Sequence, residues 1–532
     1  MKTFKLLPFV VLSSTALANT AQVVEAQSTA VQVAQPQQVV AQPVADTVLP
    51  QLSFEAQQAR AAELAKQADY AVEQEQIRQE QARKQAEAEN KVKQAVGNNA
   101  LLLSQTTAKI YADNGFSPMW NDKSAEKQFL KEYGVFVASG VSAKSAKALQ
   151  QILNQPEGMA RDILLTDSFL DYLYYNKNVY RNANQWLYNL GSYSPKAPSS
   201  ELISSWTKAV RNGNAGSFVA GLVPQNHIYQ QTVQKLLSMS PNGVASSAKK
   251  ATKGKKGKNN AEPTASDDSV ATGSSSFYKL ALNAQRLRII PSFNNGIFVN
   301  IPSYQMYYFR NGQLALQSKV IVGREERKTP VLYSKLSQVV VNPPWTIPPT
   351  ILSQDIMPKL ARDPGFAERS GYEIFDRSGT KINARSVNWK QYVNSKNIPY
   401  TIRQKASDDS ALGKYKFNMP STDAIFLHDT PSRSLFNKEN RAISSGCVRV
   451  AKADEFATLL LKEAGWSEER KQNTLNSNKT TFVGIRSDNP VYLYYVTSWV
   501  ENGKVYSLPD IYKFDTRIPK TSINWAKLRS EI

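Results

Sequence analysis

The 532-residue sequence predicts an α+β protein, with a mainly helical N-terminal part and a β-rich C-terminal part that carries an insertion. Three observations predict it. Apolar residues recur at helical spacing in the stretches between about 100 and 240. From about Ser275 the character turns to β, in runs rich in Val, Ile, Tyr and Phe, with hairpin turns at Asn311-Gly312 and Asn502-Gly503. Between the two, residues 241–273 break all periodicity.

Met1 to about Ala18 reads as a signal peptide: Lys2 and Lys5 precede an apolar centre, Leu6–Leu12, and Ala16-Leu17-Ala18 supplies small residues for cleavage. Residues 19–50, rich in Ala, Gln, Val and Pro, read as a flexible tether. Residues 51–97 change to Ala, Gln, Glu, Lys and Arg, with no Pro or Gly before Gly97. That composition predicts a long solvated helix. Its sparse apolar residues form no sustained heptad, so a coiled coil is the alternative, and with it a homodimer through this segment. Residues 98–240 form a helical domain, with helices expected over Ala143–Leu153, Leu165–Tyr175 and Thr232–Leu237. His227 reads as part of a structural turn there. Six lysines fall within 249–258 and mark 241–273 as a linker, with adhesion to an anionic envelope polymer or membrane surface as its functional alternative. Residues 274–532 form the β domain, with strands over Ile297–Ile301, Gln305–Phe309, Leu314–Val322, Gln338–Val341, Thr481–Ile485, Val491–Val500 and Val505–Ser507. One helix is expected at Ala453–Ala464, and residues 343–410 read as an insertion between strands.

Composition narrows the function. Hydrophobic residues at 41% and charged residues at 20% support a real core and exclude a wholly disordered chain. No window approaches the roughly 18 to 20 apolar residues of a membrane span, which excludes a polytopic membrane protein. Lys+Arg 65 against Asp+Glu 44 gives +21 and favours an anionic setting. Export argues against nucleic acid as that setting. A single cysteine, Cys447, excludes an intramolecular disulfide and a cysteine-based zinc site.

The chemistry concentrates in one window. Ile425-Phe-Leu-His428 is an apolar strand that delivers His428 at its end. Nineteen residues later comes Cys447, within Ser444-Ser445-Gly446-Cys447-Val448-Arg449. A thiol nucleophile needs a base, and an imidazole is the usual one. The β domain holds one of each. The small-residue turn lets backbone approach a substrate closely, and its successive N–H groups can converge on an oxyanion. A lone cysteine is most often a small buried hydrophobe, but an idle thiol is a liability in an oxidising compartment.

His428 followed by Ser444-Ser445-Gly446-Cys447-Val448-Arg449 resembles the signature of L,D-transpeptidases with the YkuD-type catalytic domain, in their large periplasmic branch. The likeness extends to Val299-Asn300-Ile301-Pro302, to Val322-Gly323 with Thr329-Pro330, and to Val341-Asn342-Pro343-Pro344-Trp345. It continues through Arg403-Gln404, Leu412-Gly413 with Lys416-Phe417, and Asp510-Ile511-Tyr512. The resemblance implies a β-sandwich catalytic domain with a capping subdomain inserted at about 345–412, joined to a helical scaffold domain. It implies that Cys447 attacks a peptidoglycan stem peptide and forms a thioester, with no metal and no cofactor. His428 would be the proton donor and acceptor, oriented by the backbone carbonyl of Asp429. N–H groups of Ser445, Gly446 and Cys447 would bind the oxyanion, and Arg449 would hold a stem carboxylate or brace the loop. The partners implied are a tetrapeptide donor and a meso-diaminopimelate acceptor in the periplasm, with 3→3 cross-links as product and carbapenem acylation of Cys447 as a family trait. Tyr415 and Trp389, in or near the insertion, read as packing. Ser445 stands where many relatives carry a second histidine, and the lysine-rich linker stands in place of a small peptidoglycan-binding module. Other acyl acceptors, water among them, and a catalytically silent envelope-binding protein are the alternatives.

Overall fold

The computed structural model describes residues 53–241, 274–395, 397–486 and 488–532. The expected signal peptide, the tether and all but the first residue of the linker lie outside the described residues. The chain divides into two compact units, Met1–Ile77 and Arg78–Ile532. Helix α1 (Phe54–Val96) starts in the first, where Phe54, Leu64, Tyr70, Val72 and Ile77 are all exposed. Helix propensity rather than packing forms that stretch. In the second unit Ala88, Val92 and Val96, four residues apart, put one stripe of the helix into a core.

That core belongs to α2 (Ser104–Asp113), α3 (Lys123–Ala138), α4 (Ala143–Asn154), α5 (Met159–Trp186), α6 (Ser200–Arg211), α7 (Ala215–Ala220) and α8 (His227–Ser238). Asp122, Ser142, Ser199 and Asn226 cap α3, α4, α6 and α8 by accepting first-turn N–H groups. His227 is the first residue of α8, and its ring lies 6.1 Å from Phe293.

The stretch after the linker departs from the expected strand character. Ser274–Arg288 is helix α9, and Phe277, Leu280, Ala281, Ala284 and Leu287 face the helical core. Their spacing is helical; the β-rich runs that follow obscured it.

The β region opens with β1 (Gly296–Asn300), β2 (Gln305–Arg310), β3 (Gln313–Gly323), β4 (Leu332–Lys335) and β5 (Gln338–Val341). The insertion follows, as β6 (Trp345–Thr346), α10 (Pro349–Ile351), α11 (Met357–Arg362), α12 (Phe366–Arg369), β7 (Tyr372–Phe375), β8 (Lys381–Ile382) and β9 (Thr401–Gln404). The chain then returns through β10 (Tyr415–Asn418), β11 (Leu427–His428), β12 (Ala442–Ser444) and β13 (Val448–Val450) to α13 (Ala453–Glu463) and α14 (Glu468–Asn476). It ends with β14 (Thr481–Gly484), β15 (Pro490–Tyr494), β16 (Ser498–Glu501), β17 (Lys504–Ser507) and α15 (Trp525–Glu531).

The sandwich is one sheet curled on itself, in the order β14-β5-β10-β11-β13-β3-β2-β1-β15-β4, with β12 also on β3. The long strand β3 joins the halves: its first part pairs with β2 and its last residues pair with β13 and β12. Ile297, Val299 and Met306 from one half meet Val339, Val341, Phe417 and Val448 from the other, with Phe456 and Leu460 of α13 between them.

The insertion leaves β5 and re-enters at β10, which pair with Val341 opposite Tyr415, so it stands on a narrow base. Asn342 takes the left-handed turn there (φ +51°), and its amide donates to Thr474 O (3.0 Å). The insertion has its own sheet, β6-β9-β7-β8, and its own core around Met357, Leu360, Trp389 and Ile402. Trp389 packs in that core, and Tyr415 is buried with its hydroxyl donating to Asp454 (2.5 Å).

The expected strand Val491–Val500 is two strands. Between them Val496 N–H donates to Asn300 Oδ1 (3.0 Å) and Thr497 N–H to Asn283 Oδ1 (2.8 Å). The chain thereby leaves the large sheet, and the β16–β17 hairpin packs on α8. Trp499, Val500, Val505, Trp525 and Leu528 join the helical core, so the C-terminal segment staples the two halves of this unit together.

Buried ion pairs reinforce the same seam. Arg288 of α9 pairs with Glu132 of α3, and Tyr229 shares the cluster, donating to Glu132 Oε2 (2.5 Å). Arg286 pairs with Asp515 (2.6 Å). Removing one partner of a buried pair leaves the other charge without compensation. We expect Glu132→Ala to lose about 3 to 5 kcal/mol of stability in urea unfolding, and a loss below about 1 kcal/mol would show that Arg288 finds solvent instead.

Candidate functional site

Sheet register brings the expected site residues together. β11 runs parallel to β13, with Leu427 opposite Val448 and His428 opposite Arg449. The pairing starts one step earlier, where Val448 N–H donates to Phe426 O (3.1 Å). On the other side β10 is antiparallel, with Lys416 opposite His428. Side chains alternate along strands, and burial follows. Leu427, Phe417 and Val448 are fully buried in the core, while Phe426, Lys416, Cys447 and Arg449 are half-buried on the opposite face. His428 shares that face and is itself buried.

The imidazole is held by its neighbour's backbone. His428 Nδ1 lies 2.5 Å from Asp429 O, which assigns the proton to Nδ1 and leaves the Nε2 lone pair as acceptor. The Asp429 side chain braces the cap's return: Oδ2 accepts Lys414 N–H (2.9 Å) and Oδ1 pairs with Arg433 (3.3 Å). Gly413 has φ +59°, and a Cβ there would collide with that carboxylate.

The Cys447 turn is anchored from below. Ser444 Oγ donates to Cys447 O (2.6 Å), and Thr329 Oγ1 donates to Gly446 O (2.7 Å). Thr329 in turn accepts Gly323 N–H (2.8 Å), and the Tyr512 hydroxyl donates to Gly323 O (2.6 Å). From above, Arg327 donates to Ser445 Oγ (3.0 Å) while pairing with Asp355 of the cap (2.5 Å).

The three N–H groups expected at the oxyanion differ in their present partners. The φ of +118° at Gly446 turns its N–H onto Ser444 Oγ (3.1 Å), so it is already engaged. The Ser445 and Cys447 N–H groups have no partner among the described residues.

Electrostatics set the resting protonation. Burial, then the positive charge of Arg449, push His428 down to about 3, against the pull of the Asp429 carbonyl. Burial pushes the Cys447 thiol up, partly offset by the Phe426 N–H and by the charges of Lys416 and Arg449. Burial also pushes Lys416 and Arg449 down. At rest both the thiol and the imidazole are neutral, and the thiol's polar neighbour is the Ala424 carbonyl, 4.0 Å from Sγ. Arg449 Nε is buried with no hydrogen-bond partner, and no carboxylate pairs with Arg449 or Lys416 among the described residues. Instead Lys416 Nζ lies 4.2 Å from the centre of the Phe426 ring. Two cations without a counter-ion therefore flank the thiol. Among the described residues, no group of three His, Cys, Asp or Glu side chains could hold a metal ion.

Lys416, Thr329, Arg327 and Tyr512 take no part in the constellation read from the sequence. Lys416 is reachable by pattern, because it alternates with buried Tyr415 and Phe417. The other three act across long sequence separations: Thr329 and Tyr512 fall in segments that carry the family resemblance without showing what they hold, and Arg327 carries no local signal.

Residues 294–507 match the model of the L,D-transpeptidase catalytic domain, and residues 105–236 match that of the Scaffold domain. A Haemophilus influenzae protein, provisionally named an L,D-transpeptidase, is 46% identical over 432 residues, covering 81% of this chain and 82% of its own length. The chain belongs to the YkuD L,D-transpeptidase family. Members of this family act on peptidoglycan stem peptides, and the strand-end thiol, imidazole and unpaired cations lie within the matched catalytic domain.

A raised thiol leaves less thiolate at neutral pH than an ordinary cysteine. Alkylation of Cys447 by iodoacetamide should therefore climb continuously from pH 6 to pH 9. Lys416→Ala, which removes a charge favouring the thiolate, should slow it further at each pH. A plateau from pH 5 to pH 8 would instead indicate a preformed thiolate–imidazolium pair.

Proposed function

We propose that this protein is a periplasmic L,D-transpeptidase that forms 3→3 peptidoglycan cross-links through a Cys447 thioester. The observation that carries the reading is Arg449 Nε, buried with no hydrogen-bond partner among the described residues, on the face shared by Cys447 and His428. A peptide stem that ends in carboxylates supplies the anion this face lacks.

In the acylation step, His428 Nε2 takes the thiol proton as Cys447 Sγ attacks the amide carbon between the third and fourth stem residues. The Ser445 and Cys447 N–H groups receive the developing oxyanion. The C–N bond breaks, the imidazolium returns its proton to the departing D-alanine amine, and a thioester remains. In the second step His428 accepts a proton from the side-chain amine of a meso-diaminopimelate. That nitrogen attacks the thioester, a new amide forms and the thiol is restored. A carboxylate seated against Arg449 also offsets a charge that depresses His428, so donor binding makes the base stronger as it is needed. Asp429 takes part through its carbonyl, and its side chain through the cap's return. The signal-peptide pattern of the first residues supports the periplasmic reading.

The test is mass spectrometry of products from purified protein given disaccharide-tetrapeptide. The reading predicts a cross-linked tetra-tripeptide dimer with the intact chain and none with Cys447→Ala. His428→Ala should slow acylation by about 10² to 10⁴. Arg449→Met should lower kcat/KM for the tetrapeptide by about 10- to 100-fold, the worth of one charged hydrogen bond. Tripeptide monomer as sole product would make the protein a carboxypeptidase. Dimer formation by Cys447→Ala would refute the mechanism.

A further inference from the structure

Away from Cys447 a groove of about 750 Å³ lies between α5 of the helical domain and the β4–β15 edge of the sheet. It is within the size range of built ligand sites. Tyr180 and Tyr333 line it and are 45% and 51% exposed. Among the described residues beyond α1, only Leu314 and Phe482 are other large apolar side chains so exposed. Two of these four meet in one groove, with ring centroids 5.6 Å apart. Tyr333 lies 5.0 Å from Tyr492, which stacks at 4.9 Å on buried Phe298. Tyr333 is thus backed by the core through Tyr492, and Tyr180 meets it edge-to-face at 68°. Two half-exposed aromatic rings that meet in one groove offer apolar faces to a ligand.

The groove's chemistry narrows the occupant. In a chain of net charge +21, its lining contains one charged side chain, Arg288, and that one is engaged by Glu132 and Tyr229. An anionic polymer finds no counter-charge there. The rim instead carries amides. Asn176 Nδ2 donates to Leu222 O (3.0 Å) and Gln225 Nε2 to Val223 O (3.4 Å), which leaves each side-chain oxygen free to accept. Neutral rings with an apolar face and donor groups around the edge suit this surface. Pyranose sugars have that form.

We propose that this groove binds the glycan strand of peptidoglycan, with N-acetylated amino-sugar rings stacked on Tyr180 and Tyr333. The carbohydrate chemistry is independent of the thiol; the identity of the glycan rests on the proposed function. Position agrees with it. Tyr333 follows Thr329, which anchors the Cys447 turn, by four residues, a reach of at most about 14 Å. An extended stem of four residues covers a similar span. A glycan held here anchors the polymer whose stem Cys447 attacks.

The experiment uses the full chain carrying Cys447→Ala, so that no turnover occurs, and amidase-treated glycan strands free of peptide. Co-sedimentation and isothermal titration should show binding, and Tyr180→Ala with Tyr333→Ala should weaken it by at least about tenfold. Tyr70→Ala, an exposed tyrosine on α1, should leave it unchanged. In the Cys447-containing background the double tyrosine variant should still form a thioester with free tetrapeptide, which shows an intact fold. No binding of peptide-free glycan by the full chain would overturn the proposal, as would equal binding by the double variant. Failure of thioester formation by the unmodified chain would overturn the proposed function while leaving glycan binding to be judged by the first arm.

Discussion

The parallel pairing of β11 with β13 is the constraint on which the rest of the site depends. One backbone bond, from Val448 N–H to Phe426 O, sets the register. With it set, alternation places Phe426, His428, Cys447 and Arg449 on one face, while Leu427 and Val448 lock the other face into the core. A slip of one residue would turn the imidazole into the core and Leu427 outward. Burial of Leu427 and Val448 therefore enforces the geometry of the chemistry. The turn before Cys447 is held just as tightly, by a relay from Tyr512 through Gly323 and Thr329 to Gly446.

The electrostatic design follows from that packing. A base at the end of a buried strand loses hydration, and two cations beside it depress it further. His428 is consequently a weak base held ready in the correct tautomer, rather than one half of a standing ion pair. The unpaired charges of Arg449 and Lys416 are expensive to leave so, and their placement makes sense when the missing partner is the substrate. Arg327 adds a mechanical link, since it touches both Ser445 beside the thiol and Asp355 in the cap. The cap and the turn before Cys447 are joined through that side chain.

Much of this was legible in the sequence, for physical reasons. The β domain has one cysteine and one histidine, so their pairing needed no geometry. Strong β-branched runs with Asn-Gly turns announced β1 to β3 and the final hairpin, and the Ala-rich stretch announced α1. The rest depended on non-local contacts. Helix α9 carries helical spacing but adjoins strands, and its apolar face is claimed by a core assembled from distant segments. The break at Tyr495–Thr497 comes from Asn300 and Asn283 side chains far away in sequence. The engagement of Gly446 N–H by Ser444 is a matter of one φ angle. Lys416 was visible only within a family-like segment and not as a charge near the thiol, because its role appears only once β10 lies beside β11.

His428 rests as a neutral Nδ1–H imidazole and Cys447 as a protonated thiol. With two histidines in the chain, His227→Gln leaves a single imidazole, and nitrogen NMR of the histidine-labelled variant reads its state directly. The expected result is one protonated nitrogen, Nδ1, and an unprotonated Nε2, with no titration between pH 5 and pH 8. An imidazolium with both nitrogens protonated at pH 7, lost on Cys447→Ala, would contradict it.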